Sequence, residues 1–306
     1  MATIAPVDAD PTLPLVGAVV LTQGRRPAEL SQAISSLLAQ EGVRLDVAVV
    51  GNGWEPTGLP AGVHHTVALP ENLGIPAGRN AGVDAVAGDL LLFLDDDAAL
   101  ADRGFLPEVV RRFADDPTLG MVQPRVDVAG EGEPPRRWTP RARVGDRTRS
   151  SDVLSVWEGV VVVRREAFEA AGRWPDPFFY AHEGIELTWR VWDAGWRVRY
   201  LGDLPVRHPL TSPARHADHL RLDARNRVWL ARRNLPWPAA AVYLAFRGAV
   251  QVARLARTPP ALATWSRGWL EGWRGDCGPR RPVSYRTLLR MAGATRAGAL
   301  LPAAAR

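Results

Sequence analysis

Apolar positions along the chain fall into two rhythms. Residues 15–22 and 45–50 are short continuous runs rich in valine, the pattern of parallel strands buried on both faces. Between them Leu30, Ile34, Leu37 and Leu38 recur at i, i+4, i+7 and i+8 behind Pro27, which predicts a helix opened by proline. The second run ends in the turn-prone Gly51-Asn52-Gly53, and a short strand is expected over 66–69. Residues 72–78 form a glycine-rich entry to a helix ending near Val86. Residues 89–94 are another buried strand, running straight into Asp95-Asp96-Asp97. This alternation predicts an α/β fold, Rossmann-like, with a mostly parallel central sheet flanked by helices.

The second half has a different texture. Residues 131–150 are rich in proline, glycine and arginine and read as a long mobile loop. A compact strand is expected over 160–163, a short helix over 167–171 and a longer one over 182–194. Short extended pieces follow at 196–201 and 206–208. From Arg221 onward the pattern is helical, broken by Pro236, Pro238, Pro259 and Pro260. The expected organisation is a loose tail (1–14), an α/β unit (15–220) and a helical, arginine-rich C-terminal extension (221–306).

Composition sharpens this picture in two places. Cys277 is the only cysteine, which excludes a disulfide framework or a cysteine zinc site and suits a cytoplasmic setting. Residues 1–14 carry acids and prolines, not a basic and then apolar signal pattern. The net charge of +5 is unevenly spread, and lysine is absent. Residues 1–220 hold 22 arginines against 30 acids, whereas 221–306 hold 16 arginines against three. Such a basic end points to an anionic partner. The uncharged stretch over 234–246 is 13 residues, too short to cross a membrane. Arg247, Gln251 and Arg254 then recur on one helical side, with Trp237, Trp265, Trp269 and Trp273 nearby. The segment therefore reads either as a helix lying in an anionic membrane surface, on the inner face, or as an arginine-coated packing element. No recognition motif for nucleic acid accompanies it.

The acidic triplet carries the most chemistry. Ligands of parallel sheets sit beyond the carboxyl ends of strands, where these acids must lie. In extended backbone Asp95 and Asp97 point the same way and can share a divalent cation, for which carboxylate oxygens suit Mg2+ or Mn2+. Three adjacent carboxylates also need compensating charge, which a cation supplies. A solvated acidic turn is the plainer alternative.

Taken in order, several segments resemble the bacterial family 2 inverting glycosyltransferases of the GT-A fold. These are the opening strand with Thr22, Val49-Val50-Gly51-Asn52-Gly53, and Asn72-Leu73-Gly74-Ile75-Pro76-Ala77-Gly78-Arg79-Asn80-Ala81-Gly82. They continue with Asp95-Asp96-Asp97, residues 159–168 with their Arg-Arg-Glu-Ala-Phe, and the acidic helix 182–190. The likeness spans roughly residues 15–210. It implies transfer of a hexosyl or deoxyhexosyl group from a nucleotide-diphosphate sugar to an acceptor hydroxyl, on a lipid-linked, cell-envelope or small-molecule glycan. It divides the unit into a donor half (15–97) and an acceptor half (98–220). Donor contacts are implied for Thr22, Asn52, Asn72, Gly78, Arg79, Asn80, Asp95 and Asp96, and a metal on Asp95, Asp97 and His208.

Two positions depart from the family pattern. Gly51 stands where an aspartate usually contacts the base, so Asn52 is the substitute candidate. Gly184 stands where the general-base aspartate is usual. Glu183, adjacent, is the first candidate for that role. Glu186 is the second, unless it pairs with Arg190 at i+4, and Glu158 is a third. Gly184 also motivates an alternative function, a non-catalytic nucleotide-sugar-binding protein. Trp157 and Trp174 are candidates to stack on sugar, while Trp189, Trp192 and Trp196 have core spacing. A dehydrogenase is disfavoured because no glycine fingerprint follows the first strand. A sugar nucleotidyltransferase would need a lysine-bearing start. His182-Glu183 lacks the second histidine of a zinc-protease helix.

Overall fold

The computed structural model describes residues 10–141, 143–210 and 218–299, so most of the expected N-terminal tail lies outside the described residues. The first half is a parallel βαβ layer. It comprises β1 (Leu15–Thr22), α1 (Pro27–Leu38), β2 (Arg44–Asn52), β3 (His65–Leu69), α2 (Ile75–Val83) and β4 (Leu90–Asp95). These strands lie in the order β3-β2-β1-β4, all parallel. As the valine-rich runs require, β1, β2 and β4 are buried on both faces. Helix α2 packs closely on the sheet through glycines. A Cβ on Gly78 would stand 2.5 Å from Leu21, and one on Gly82 would stand 2.4 Å from Val19.

The second half continues the sheet with mixed direction. It adds β5 (Ala99–Leu100), α3 (Phe105–Asp115), β6 (Leu119–Val128), β7 (Ser151–Asp152), β8 (Val160–Arg164), α4 (Arg165–Ala171), α5 (Glu183–Asp193) and β9 (Arg197–His208). Beyond β4 the order is β8-β6-β9-β5, with β7 also on β9. Strand β8 runs antiparallel to both β4 and β6, whereas β6 and β9 are parallel. The two extended pieces expected at 196–201 and 206–208 are one strand. A register shift between Leu201 and Pro205, opposite Pro124 and Arg125, takes up the intervening residues.

Among the described residues of 131–150, the backbone is fastened in place, unlike the mobile loop that the composition suggests. Trp138 and Thr139 are buried, Arg141 donates to the carbonyls of Asp146 and Arg149, and Tyr200 donates to that of Arg147. Arginine here fastens a loop by satisfying its backbone oxygens.

Helices α6 (His219–Asn234), α7 (Trp237–Leu255), α8 (Pro259–Arg274) and α9 (Tyr285–Ala299) follow. The change of composition at residue 220 marks no break in packing. Val228, Trp229, Leu230 and Ala231 of α6 belong to the same buried cluster as Phe93 of β4 and Leu187 of α5. Trp265 is buried too, so only part of the tryptophan set faces outward. Among the described residues, no helix is long and apolar enough to cross a membrane.

Candidate active site

Strand β4 ends in the aspartate triplet, and three basic groups converge on it. Thr22, at the end of β1, donates to Asp96 Oδ2 at 2.6 Å. Arg26, from the turn before α1, donates to Asp96 Oδ1 at 2.5 Å and to Asp97 Oδ2. Arg79 of α2 donates to Asp95 Oδ1 at 2.8 Å and to the carbonyl of Glu158 at 3.0 Å. His208, the last residue of β9, places Nε2 2.9 Å from Asp97 Oδ1. The repulsion within the triplet is therefore relieved by protein groups. The sequence argument that compensation calls for a metal loses that premise.

Donor chemistry still suits a cation. One ligand atom each from Asp95, Asp97 and His208 lies within 4.8 Å of the others, a set of two hard oxygens and an imidazole. The His208 ring is held in place by Trp157 at 4.8 Å and Trp138 at 5.4 Å, both edge-on. Its Nδ1 lies 2.6 Å from the Pro209 carbonyl, which directs Nε2 to the aspartates. Trp157 thus stands at the site. Trp174 does not, because it is buried against Phe93 and Phe168.

Several of the residues expected to contact the donor also build the pocket. Asn52 is buried, with Oδ1 accepting from Leu73 N at 2.8 Å and Nδ2 donating to Asn72 Oδ1 and the Gly74 carbonyl. Asn72 Oδ1 in turn accepts from Gly74 N at 3.0 Å. The pair shapes the loop into α2, and both the oxygen and the nitrogen of the Asn52 side chain are engaged there. The absent aspartate has a steric reason: a Cβ on Gly51 would meet the Trp54 carbonyl oxygen at 1.9 Å. Asn80 holds the Trp174 turn through the carbonyl and amide of that residue. Gly78 faces Leu21, so its missing side chain lets α2 pack on the sheet. Arg79 is buried behind Asp95.

The carboxylates of α5 divide sharply. Glu186 is sealed on the far side. Its oxygens accept from Arg233 Nε at 3.0 Å, Arg233 Nη2 at 2.8 Å and Asn234 Nδ2 at 2.7 Å, with Arg190 Nη2 at 3.1 Å. Its place as a catalytic candidate gives way to the bridge. Glu183, at the start of α5, is only 3% exposed, and its Oε2 has no hydrogen-bond partner among the described residues. Burial first, and then the charge of Glu158, push its carboxyl up to about 8. Glu158 is raised by burial as well, opposed by the guanidinium of Arg79. The two form a carboxyl pair beside Asp95.

The turn leading to Glu183 is strained. Phe179, Ala181 and His182 all have positive φ, between 62° and 72°. Asn226 of α6 holds it by donating to the carbonyls of Phe178, Tyr180 and Ala181 at 2.7–2.9 Å, and Ile75 N takes that of Phe179. Sequence reasoning missed Arg26 and Asn226. Both act across large sequence separations, and neither sits in a motif.

A parallel sheet whose fourth strand ends in an aspartate cluster, closed by an antiparallel strand and an acidic helix, is the GT-A architecture. The chain belongs to the family described as Glycosyl transferase family 2, whose model matches residues 18–172, half of the sequence. The pre-mycofactocin glycosyltransferase of Mycobacterium tuberculosis is 31% identical over 211 residues, 66% of this chain and 41% of that one. The match therefore spans less than half the length of this curated relative. Among solved structures, a mannosyltransferase from Pyrobaculum calidifontis, in complex with GDP-Man and Mn2+, superposes with a TM-score of 0.54 at 19% identity. That match covers 89% of this chain and 92% of the other. TarS 1–349 of S. aureus, in complex with UDP-GlcNAc, gives 0.55 at 13% identity, covering 90% and 83%. At these identities the likeness is one of fold.

Proposed function

We propose that this family member is an inverting, divalent-cation-dependent glycosyltransferase that takes a nucleotide-diphosphate sugar as donor and a hydroxyl as acceptor. The observation that carries this is the Asp95, Asp97 and His208 set at the carboxyl end of β4, with the Glu158–Glu183 pair beside it. The solved neighbours described with GDP-Man and Mn2+ and with UDP-GlcNAc support the donor class. Asp95, Asp97 and His208 would hold Mn2+ or Mg2+, whose charge would stabilise the leaving diphosphate. Thr22 and Asp96 line the same pocket end, and Arg26 is close enough to exchange its aspartates for donor phosphate oxygens. A carboxylate of the Glu158–Glu183 pair takes the acceptor proton while the hydroxyl oxygen attacks the anomeric carbon. That pair supports the catalytic reading over a non-catalytic binder, because a carboxylate is present despite Gly184.

Calorimetric titration with nucleoside diphosphates, with Mn2+ and with chelator, tests the reading. One diphosphate should bind in Mn2+ only, and Asp95→Asn/Asp97→Asn should weaken it at least 100-fold. Metal-independent binding, or none, overturns the proposal.

We further propose that α7 rests on an anionic membrane surface on the cytoplasmic side, where a lipid-linked or envelope acceptor would be met. Val242 (71%) and Phe246 (64%) are exposed together with Ala241, Ala245, Ala249, Val252 and Ala253, an apolar stripe several turns long. Arg254 and Arg257 stand exposed at its end, in the strongly basic part of the chain.

A further inference from the structure

Of the carboxylates around the end of β4, most already have a fixed cationic or hydroxyl partner. Asp95 is held by Arg79, Asp96 by Thr22 and Arg26, and Asp97 by Arg26 and His208. Glu186 is enclosed by Arg233, Arg190 and Asn234. Glu158 and Glu183 remain. Of the two, Glu183 is the more deeply buried, whereas Glu158 is partly exposed.

Glu158 stands in a peculiar relation to Gly184. Pairing of β8 with β4 sets it in place, since Asp95 N donates to the Gly159 carbonyl at 2.8 Å. From there its side chain reaches the first turn of α5, and Gly184 N donates to Oε1 at 2.8 Å. A Cβ on Gly184 would lie 2.3 Å from that oxygen and 2.6 Å from Cδ and Cγ. Gly184 is helical and not among the glycines with positive φ, so backbone conformation does not demand glycine here. In a helix glycine is unfavourable relative to alanine. What it supplies is room, and Glu158 fills it.

We propose that Glu158 is the catalytic base, a carboxylate delivered from the β8 entry into the space that the missing side chain of Gly184 leaves. This rests on the donor reading above. The acceptor O–H gives its proton to the second oxygen of Glu158, since Gly184 N engages the first. The hydroxyl oxygen forms the new bond to the anomeric carbon. The bond from that carbon to the diphosphate breaks, and its electron pair leaves with the nucleotide. Glu183, deeper and without a partner on Oε2, shapes the pocket beneath it.

The experiment uses the full chain and needs no acceptor, because water serves in its place. Hydrolysis of UDP-glucose, UDP-N-acetylglucosamine and GDP-mannose is followed by nucleotide release, with Mn2+-dependent nucleoside diphosphate affinity measured in parallel. Glu158→Gln should lower kcat at least 100-fold and leave that affinity within about threefold of wild type. Glu158→Ala/Gly184→Asp, which returns a carboxylate to the vacated space, should regain at least tenfold over Glu158→Ala. A thermal-unfolding cycle checks the fit: Gly184→Ala should lower Tm in the wild type and not in Glu158→Ala. Bound nucleotide with undiminished hydrolysis in Glu158→Gln overturns the assignment and leaves the donor site standing. So does a loss seen only in Glu183→Gln. A chain that binds no nucleoside diphosphate overturns the donor reading, and this inference falls with it.

Discussion

Arg233→Met separates a structural from a catalytic Glu186. Glu186 is almost wholly buried, as is Arg233, and the guanidinium supplies three of the contacts to its carboxylate. Methionine keeps much of the volume but leaves the carboxylate with Arg190 and Asn234 alone. Breaking one side of a buried ion pair costs about 3–5 kcal/mol, because the remaining charge is left in a poorly solvating interior. At about 2.1 cal/mol/K per residue, a chain of 306 residues has an unfolding entropy near 0.6 kcal/mol/K. The expected fall in Tm is then about 5–8 °C by calorimetry or circular dichroism. Arg190→Met/Arg233→Met/Glu186→Met, which removes all three charges, should recover most of that loss, since a buried ionic cluster replaced by apolar groups is often neutral, whereas Arg233→Met/Glu186→Met strands Arg190 and should not. A fall under 2 °C, or a triple variant no better than the single, would refute the reasoning. Glu186→Gln that folds yet loses donor hydrolysis more than 100-fold would return this residue to the catalytic candidates.

Two further outcomes follow from charge and exposure. Glu183 is pushed up to about 8 from 4.5, so the folded chain holds a proton that the unfolded chain has lost above pH 4.5. The folded state binds more protons in that window, so metal-free stability should fall as pH rises from about 4.5 to 8, by at most about 1.4 kcal/mol per pH unit. Glu183→Gln should flatten that slope in chelator; an unchanged slope would mean that other groups carry it. Phe246→Glu places a charge in the apolar stripe of α7 and should cut co-sedimentation with vesicles rich in anionic lipid at least tenfold, with nucleotide affinity unchanged. Equal sedimentation of both forms, or wild type that stays in the supernatant, counts against the surface.

The first half of the sheet was legible because its signals are local. Valine runs, a proline-led helix and an acidic strand end each declare themselves within ten residues, and β1, β2, β4 and α1 lie close to where they were expected. The second half hides its centre. Strand β6 was not read, since Gly120 and Pro124 interrupt it and a proline argues against an interior strand. The register shift beside Pro124 shows how it is accommodated. The roles of asparagine and arginine were the least legible. Asn52, Asn80 and Arg79 sit in segments that resemble donor-binding motifs, yet their partners are the turns and carboxylates that build the pocket. Residue type at a motif position tells what bonds a side chain can make, and only the fold tells which are already made.

The basic C-terminal helices belong to the site's construction, not merely to its periphery. Non-glycine residues with positive φ cost of order 1–3 kcal/mol each and persist only where neighbours over-determine them. Three such residues fall between Phe179 and His182, immediately before Glu183. One side chain, Asn226 of α6, takes the carbonyls of Phe178, Tyr180 and Ala181, and His182 Nε2 lies 3.1 Å from Asp223 of the same helix. One or two turns on, Arg233 and Asn234 hold Glu186. Helix α6 therefore grips α5 at both its strained entry and its buried face. The position of Gly184 against Glu158 depends on that grip, and Leu235 and Pro236 alone separate α6 from α7, the helix with the exposed apolar stripe.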